Sequence, residues 1–395
     1  MGEHLDGNAG QGLHHLLTQS PWSHSQLFKL IQGEANAIFK KHGQGCYLLI
    51  DEVGFRKKGS LSACVGRQYL GCIGTHDNGQ VAVASALSVG QFYCPIDIRL
   101  FMPENWDADS TRRSKCRIPE TERHLTKTEL AREMILATYP KLPSPKYVVF
   151  DSLYGANTDL LKTLIDHNIP FVGGTKKSYR VFLKEPRWIL PEKKTISGPK
   201  FSVPVPDQQQ LQLQAYLQKL KKKDFKKVKL RMSTKGRITS MFHLTNIWIQ
   251  HKTSKTFLPL QLLVRKDSDG KIYYSICFST RVASLKELAA AQGQRVFVER
   301  VFEEGKNIVG MADYQTRSWE GFHRHMALCS LSLLFLMKQK MKLIPKVGII
   351  TAYQLQEIIN LTIESISESS IIIKNLESRI VRYQIAIKKQ RKTVT

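Results

Sequence analysis

Residues 45–59 read GCYLLIDEVGFRKKG. Five consecutive apolar residues, Cys46 to Ile50, are rich in strand formers and predict a fully buried strand. Two carboxylates, Asp51 and Glu52, stand at its end, ahead of Gly54, Phe55 and the cations Arg56, Lys57 and Lys58. An apolar strand that delivers an acid to its tip is how an open α/β sheet presents chemistry beyond its carboxyl edge. A second stretch repeats the layout: KYVVF (146–150) ends in Asp151, with Ser152, Tyr154 and Gly155 after it.

Outward from the first strand, VGRQYLGCIG (65–74) and GQVAVASALSVG (79–90) predict two more strands, separated by the turn-forming HDN. Three strands in succession imply an antiparallel meander. Upstream, Gln26–Lys41 has helical spacing with Leu27, Leu30, Ile31 and Ile38 on one side and Ser25 as a candidate cap. Downstream, residues 101–120 are charged, aromatic and proline-containing, and predict a long loop. Lys127–Tyr139 predicts an amphipathic helix, 157–166 another helix, and IPFVGG (169–174) a strand.

The expected organisation is an α/β protein with helical N- and C-terminal segments. Residues 1–45 form the N-terminal helical segment and 46–175 the first part of a core. Residues 176–284 form a basic, mainly β insertion, with a hairpin turn at Asp267–Gly270. Residues 285–340 complete the core, and 341–395 form a tail ending in the basic run KKQRKT. In the 285–340 segment a helix is interrupted at Gly293 and resumes at Gln294 with Val298, Val301 and Phe302 inward. A second helix is expected from about Tyr314 through Met337.

Composition narrows the partners. The chain has 395 residues, 42% of them apolar, enough for a sizeable core. The net charge is +26, which implies a polyanionic partner. Nucleic acid comes ahead of a membrane surface, because no amphipathic anchor or lipidation signal accompanies the charge. No apolar run is long enough to span a bilayer, and the polar start lacks the features of a signal peptide. The seven cysteines form no CxxC pair, which argues against a zinc site or a disulfide framework and for core cysteines in a reducing cytosol.

The chemistry converges on three acids. Asp51 and Asp151 end apolar strands, and Glu299 lies on a later helix. Hard divalent cations such as Mg²⁺ take carboxylate oxygens together with water and phosphate oxygens. Two such ions can activate the attacking oxygen and stabilise the leaving one in phosphodiester cleavage. Strand, strand and helix delivery of three acids is the layout expected of an RNase H-like nuclease core. For either aspartate alone a solvated turn acid is the commoner reading, and a helix glutamate four residues after Arg295 is usually a surface ion pair. Both aspartates together, on a chain of +26, favour chemistry. Glu52 alternates with Asp51 along the strand, so the two face opposite sides. Histidines 323 and 325 lie on different faces of a helix and read as packing or phosphate contacts. The run Lys221–Lys223, summed over the insertion, reads as phosphate-binding.

The same residues carry a resemblance. LLIDEVGFRKKG, VGRQYLGCIG with NGQVAVA, VVFDSLYG, the spacing Arg295-x3-Glu299-x6-Lys306, and DYQTRSWEGFHRHMAL (313–328) together resemble DDE transposases of bacterial insertion sequences. The likeness is to the insertion-sequence 4 superfamily, and within it to the 701 branch, from about Gln11 to Leu336. It implies an RNase H-like core and a metal-binding triad of Asp51, Asp151 and Glu299, served by Mg²⁺ with Mn²⁺ able to substitute. It implies DNA contacts from Arg295 and Lys306, with Arg56, Lys57, Lys58 and Arg317 as further basic candidates. Trp248, in the β insertion, is either a base-stacking aromatic or a packing residue. The implied partners are the transposon ends and target duplex, the implied state a homodimer on DNA, and the implied location the bacterial cytoplasm at the nucleoid. The implied activity is nicking, strand transfer and release, through a hairpin at the element's end. Three departures stand out: Gln292 occupies the signature's tyrosine position, Val53 stands where the branch has threonine, and the N-terminal helical region is shorter. A rival third acid, Glu320, lies one residue short of the required spacing from Arg317. The alternatives from other classes are a host RNase H-like nuclease and a transposase-derived DNA-binding protein that does not cut.

Overall fold

The computed structural model describes residues 9–43, 45–190, 203–233, 236–348, 350–364, 380 and 382. The basic run at 388–393 lies outside these. In chain order, helices α1 (Ala9–Thr18) and α2 (His24–His42) precede strands β1 (Cys46–Arg56), β2 (Gly66–Leu70), β3 (Thr75–Val89) and β4 (Phe92–Leu100). Then come α3 (Glu104–Asp107), α4 (Ser110–Lys115), α5 (Lys127–Thr138), β5 (Pro145–Phe150), α6 (Ser152–Gly155), α7 (Thr158–Asp166) and β6 (Phe171–Thr175). Short strands β7 (Arg180–Val181), β8 (Trp188–Ile189), β9 (Val205–Pro206) and β10 (Leu211–Gln212) and helix α8 (Leu213–Lys219) lead into β11 (Lys226–Ser233), β12 (Gly236–Gln250), β13 (Phe257–Lys266) and β14 (Ile272–Phe278). Helices α9 (Leu285–Gln294), α10 (Val296–Ile308), α11 (Trp319–Val347) and α12 (Ala352–Glu364) follow. The class is mixed α/β with helices towards both ends, as expected. The chain divides into two units: residues 1–145, 232–236 and 296–395 form one, and residues 146–231 with 237–295 the other.

In the first unit β3 is the spine. It pairs antiparallel with β1 from Tyr47↔Ser88 to Arg56↔Gly79, and also with β2 and β4. Residues 79–89 of β3 are buried without alternation, the pattern of a strand covered on both faces. The three strands are antiparallel, but they are not the expected meander: β3 lies between β1 and β2, because it is long enough to pair with both. The turn ahead of β3 is not HDN either. His76 to Asn78 lie inside β3, and the chain turns at residues 71–74, where Gly74 supplies a φ of +67°. α2 is capped by Ser23, not Ser25, and buries Phe28, Ile31, Ala35 and Phe39. Leu30, placed inward by the sequence, is 67% exposed. The stripe is rotated because Phe28 and Phe39 are the larger side chains and take the interior.

Two further expectations shift. Residues 101–120 are not one loop: they hold α3 and α4, with Asp109 capping α4 through Arg112 N at 2.9 Å. α11 starts at Trp319, where Ser318 caps it, not near Tyr314. Residues 313–318 stay extended because their hydrogen bonds are taken elsewhere: Ala63 N donates to Arg317 O (2.8 Å), and Trp319 N to Cys116 O (2.9 Å). α5 carries the capping box between Thr126 and Glu129.

The second unit is a mixed sheet. β5 and β6 are parallel, joined through α6 and α7, and β14, β13 and β12 continue antiparallel from β6. The turn between β13 and β14 closes through Gly270 N to Asp267 O (3.1 Å), with Gly270 at φ +84°. α9 runs straight through Gly293, and the helix breaks at Arg295 instead. The Gly293 position faces Leu230 at ordinary contact distance, so glycine there is tolerated inside a packed helix.

Candidate active site

Asp51 is not at a strand tip. β1 continues five residues past it, because β3 is long enough to pair it as far as Arg56. Asp51 sits opposite Ala84, half-buried, with Oδ1 accepting from Glu52 N at 2.8 Å. Glu52 turns to other work: its Oε2 accepts from Lys127 Nζ at 2.6 Å, with both side chains 19% exposed. This ion pair joins β1 to the first residue of α5.

Glu299 lies in the first turn of α10 and is exposed. The opposite face of α10 buries Phe297, Val298, Val301 and Phe302. Two polar contacts fix the helix in the first unit. Tyr93 on β4 donates to the buried Glu304 at 2.5 Å, and burial raises that carboxyl above its ordinary range. Lys306 Nζ donates to Gly54 O at 2.9 Å and lies 5.5 Å from the Phe55 ring centroid. Burial lowers the Lys306 ammonium. This lysine thus bolts α10 to β1, three residues beyond Asp51.

The other cations after Asp51 diverge. Arg56 pairs with Asp77 at 2.6 Å while 70% exposed, and Lys58 is exposed. Lys57 folds inward: its Nζ lies 3.3 Å from the Tyr314 ring centroid and donates to Tyr314 O at 2.9 Å. Desolvation brings the Lys57 ammonium down to about 8, against the pull of nearby Asp313. Tyr314 in turn donates to Gln80 Oε1 at 2.7 Å. Arg317 is exposed.

In the second unit Asp151 does stand at the end of its strand. β5 ends at Phe150, and Asp151 caps α6 by accepting from Leu153 N at 2.9 Å. The turn is tight. A Cβ on Gly155 would come within 1.9 Å of Gly174 O, and one on Gly173 within 2.3 Å of the Phe150 ring. The glycine in VVFDSLYG and the pair in IPFVGG therefore answer one another where α6, at the end of β5, packs beside β6. No short motif in either segment alone reveals this pairing.

Gln292 is buried on α9 and donates to Ser275 Oγ at 2.7 Å. Trp248 is half-buried on β12, opposite Pro259, and exchanges backbone bonds with Phe182 at 2.9 Å. Lys221 to Lys223 form an exposed turn. Arg295 ends α9 and is half-buried. Glu320 pairs with His24 at 2.7 Å, which holds its carboxyl below the ordinary range. His323 is a core residue, accepting from Leu100 N (3.3 Å) and bonded to Trp319 O (2.9 Å). Burial pushes it down to about 3, so it is a neutral packing residue. The seven cysteines are free thiols, all but Cys72 buried. Among the described residues no three His, Cys, Asp or Glu side chains are grouped so as to hold a metal ion, and no helix is long and apolar enough to cross a membrane.

Comparison with known proteins adds identity to this geometry. A probable transposase for insertion sequence element IS701, from Microchaete diplosiphon, is 32% identical over 180 residues. That alignment covers 43% of this chain and 42% of the relative, so less than half of the relative's length is matched. A piggyBac transposase synaptic complex with hairpin DNA aligns over 86% of this chain and 57% of its own, at 10% identity and a TM-score of 0.35, too low to carry weight. Residues 1–237 match the family described as DDE superfamily endonuclease. That span covers more than half of the sequence and includes Asp51 and Asp151, so the chain belongs to the DDE superfamily endonucleases.

Proposed function

We propose that this protein is a metal-dependent transposase that cuts the ends of an insertion sequence and joins them to target DNA. The observation that carries this reading is the family match over residues 1–237, which takes in both acid-bearing strands. The likeness to the IS701 protein supplies the substrate class. In this reading the core is RNase H-like, residues 176–284 are the insertion that grips the transposon end, and a homodimer acts on paired ends in the bacterial cytoplasm.

Asp51, Asp151 and Glu299 are the proposed metal-holding acids. Their donors are all carboxylate oxygens, the chemistry a hard cation such as Mg²⁺ takes, with Mn²⁺ able to substitute. When bound, divalent ions would lower the pKa of the attacking hydroxyl and offset charge on the leaving oxygen. The chain's own part is positioning. Local backbone bonds orient the two aspartates, from Glu52 N and Leu153 N. Lys306 and Glu304 hold the helix that carries Glu299. Arg295, Arg56, Lys58 and Arg317 are proposed phosphate contacts, and Trp248 a contact to an unstacked base. Lys57 and Lys306 would serve DNA only after leaving their present partners.

A second reading is a transposase-derived protein that binds DNA without cutting. It is favoured by the net charge of +26, which binding to a polyanion accounts for without any role for the acids. One experiment separates the two: cleavage of a labelled duplex bearing the element's own end, with Mg²⁺ or Mn²⁺, for wild type, Asp151→Ala and Glu299→Ala. The transposase reading expects end-specific cleavage that both substitutions reduce at least 1,000-fold, the scale of a lost metal-electrostatic contribution. Binding without cleavage by wild type would leave the second reading. Cleavage without any joining to target would point to a host nuclease.

A further inference from the structure

The first unit carries a groove of about 690 Å³ that the acids do not line. Its walls are α1, the turn after α4, and the extended segment 313–318. Three exposed cations line it: Lys115, Arg117 and Arg317. Among the described residues none of these three is ion-paired, although the chain elsewhere pairs many of its arginines and lysines with carboxylates. One acid, Asp313, faces them.

Two further observations point to a ligand. Thr316 lines the groove at 7% exposure, and its Oγ1 is buried with no hydrogen-bond partner. A buried hydroxyl without a partner costs stability unless something satisfies it. Arg117 holds φ at +53°, a left-handed conformation that a glycine adopts far more readily. The chain keeps an arginine at that position and anchors it between buried Cys116 and Ile118. The floor is rigid as well. Backbone bonds from Ala63 and to Cys116 fix both sides of residues 317–319, and Lys57 stacks on Tyr314 beneath.

We propose that this groove seats the phosphate backbone of duplex DNA, with Lys115, Arg117 and Arg317 neutralising phosphates and Thr316, once its side chain turns the shielded hydroxyl outward, donating to a phosphate oxygen. Several cations with no carboxylate partner, in a lining otherwise mostly polar with Leu13 and Leu17 on the α1 side, fit a sequence-independent contact to a polyanion. The groove deepens the transposase reading and rests on it only for the identity of the duplex.

The test is binding of a labelled duplex by the full chain in EDTA, so that cutting plays no part, measured from 50 to 300 mM salt. Each lost phosphate contact lowers the salt slope by about 0.9, so Lys115→Ala/Arg117→Gly/Arg317→Ala should lower it by about two to three and weaken binding at least ten-fold at 150 mM. Glycine is chosen at 117 because it removes the charge without straining the turn. Asp313→Asn should tighten binding several-fold, a gain that misfolding cannot produce. The losses and gains should be equal for end and unrelated sequences. An unchanged slope in the triple variant, weaker binding by Asp313→Asn, or effects seen with RNA but not with DNA would overturn the groove. If wild type cuts end DNA and the triple variant binds like wild type, the groove fails and the transposase reading stands. If no cutting is found but the slope falls, the reverse holds.

Discussion

β1 and β5 begin alike and end differently. Each is a short apolar run followed by an aspartate. β5 stops at Phe150, because Asp151 spends its side chain capping α6 and the next turn needs Gly155 against Gly174. β1 runs on past Asp51 to Arg56, because a fifteen-residue partner, β3, keeps offering it hydrogen bonds. The same local signal gives a strand-end acid in one place and a mid-strand acid in the other. What differs is the neighbour: a side chain that can close a turn, or a second strand that can prolong pairing.

The largest test of this contrast is at the glycines. Gly155→Ala should destabilise the protein by about 3 kcal/mol, the upper end of what overpacking usually costs, since backbone that cannot move aside blocks the new methyl. Gly54→Ala, on β1, should cost about 1 kcal/mol, because the nearest atom is the movable end of Leu70 at 3.2 Å. Equal losses in urea unfolding would show that the β5 turn is no tighter than the β1 strand.

The next test concerns what holds β1 beyond Asp51. Glu52→Gln and Lys127→Met should each destabilise, and the double mutant should recover about 1 kcal/mol of the summed loss, as coupled neighbours do. Strict additivity would mean that the pair does not join β1 to α5.

A smaller effect is expected from Lys57. Its ammonium is lowered to about 8 by burial, so between about pH 8 and its ordinary value near 10.5 the unfolded chain binds more protons than the folded one. Stability should therefore rise with pH across that window, and the burial penalty is fully present below it. Lys57→Met should remove this rise when its urea midpoint is followed against wild type from pH 7.5 to 10.5. A parallel pair of profiles would place Lys57 in solvent. The smallest effect is at Arg56, one residue earlier: its pair with Asp77 is solvent-exposed, and Arg56→Ala should leave the unfolding midpoint unchanged.

Much of this was legible in order along the chain. The apolar run 46–50, the helix from Lys127, the glycine turn at Asp267–Gly270 and the inward face of α10 all act within a few residues, and each appears where its pattern predicts. Misplaced features share a nonlocal cause. HDN has turn residues, yet the pairing of β2 with β3 absorbs it and moves the turn to Gly74. Tyr314 has helical surroundings, yet Ala63 and Cys116 claim the backbone on either side of the segment that follows it. The alternation of Asp51 with Glu52 was readable, but Lys127 as the partner of Glu52 was not, because 75 residues separate them.

The sequence by itself determined the class of the protein: a basic, mixed α/β chain whose family shows in the words around Asp51 and Asp151. Those properties rest on local periodicity, on composition and on short motifs. Tertiary structure decided where β1 ends, and that Lys57 and Lys306 face inward while Arg56 and Lys58 face water. It also decided that three unpaired cations and an unsatisfied threonine hydroxyl line one groove. A cation's role depends on what lies across from it, and only the folded chain settles which carbonyl, ring or carboxylate that is.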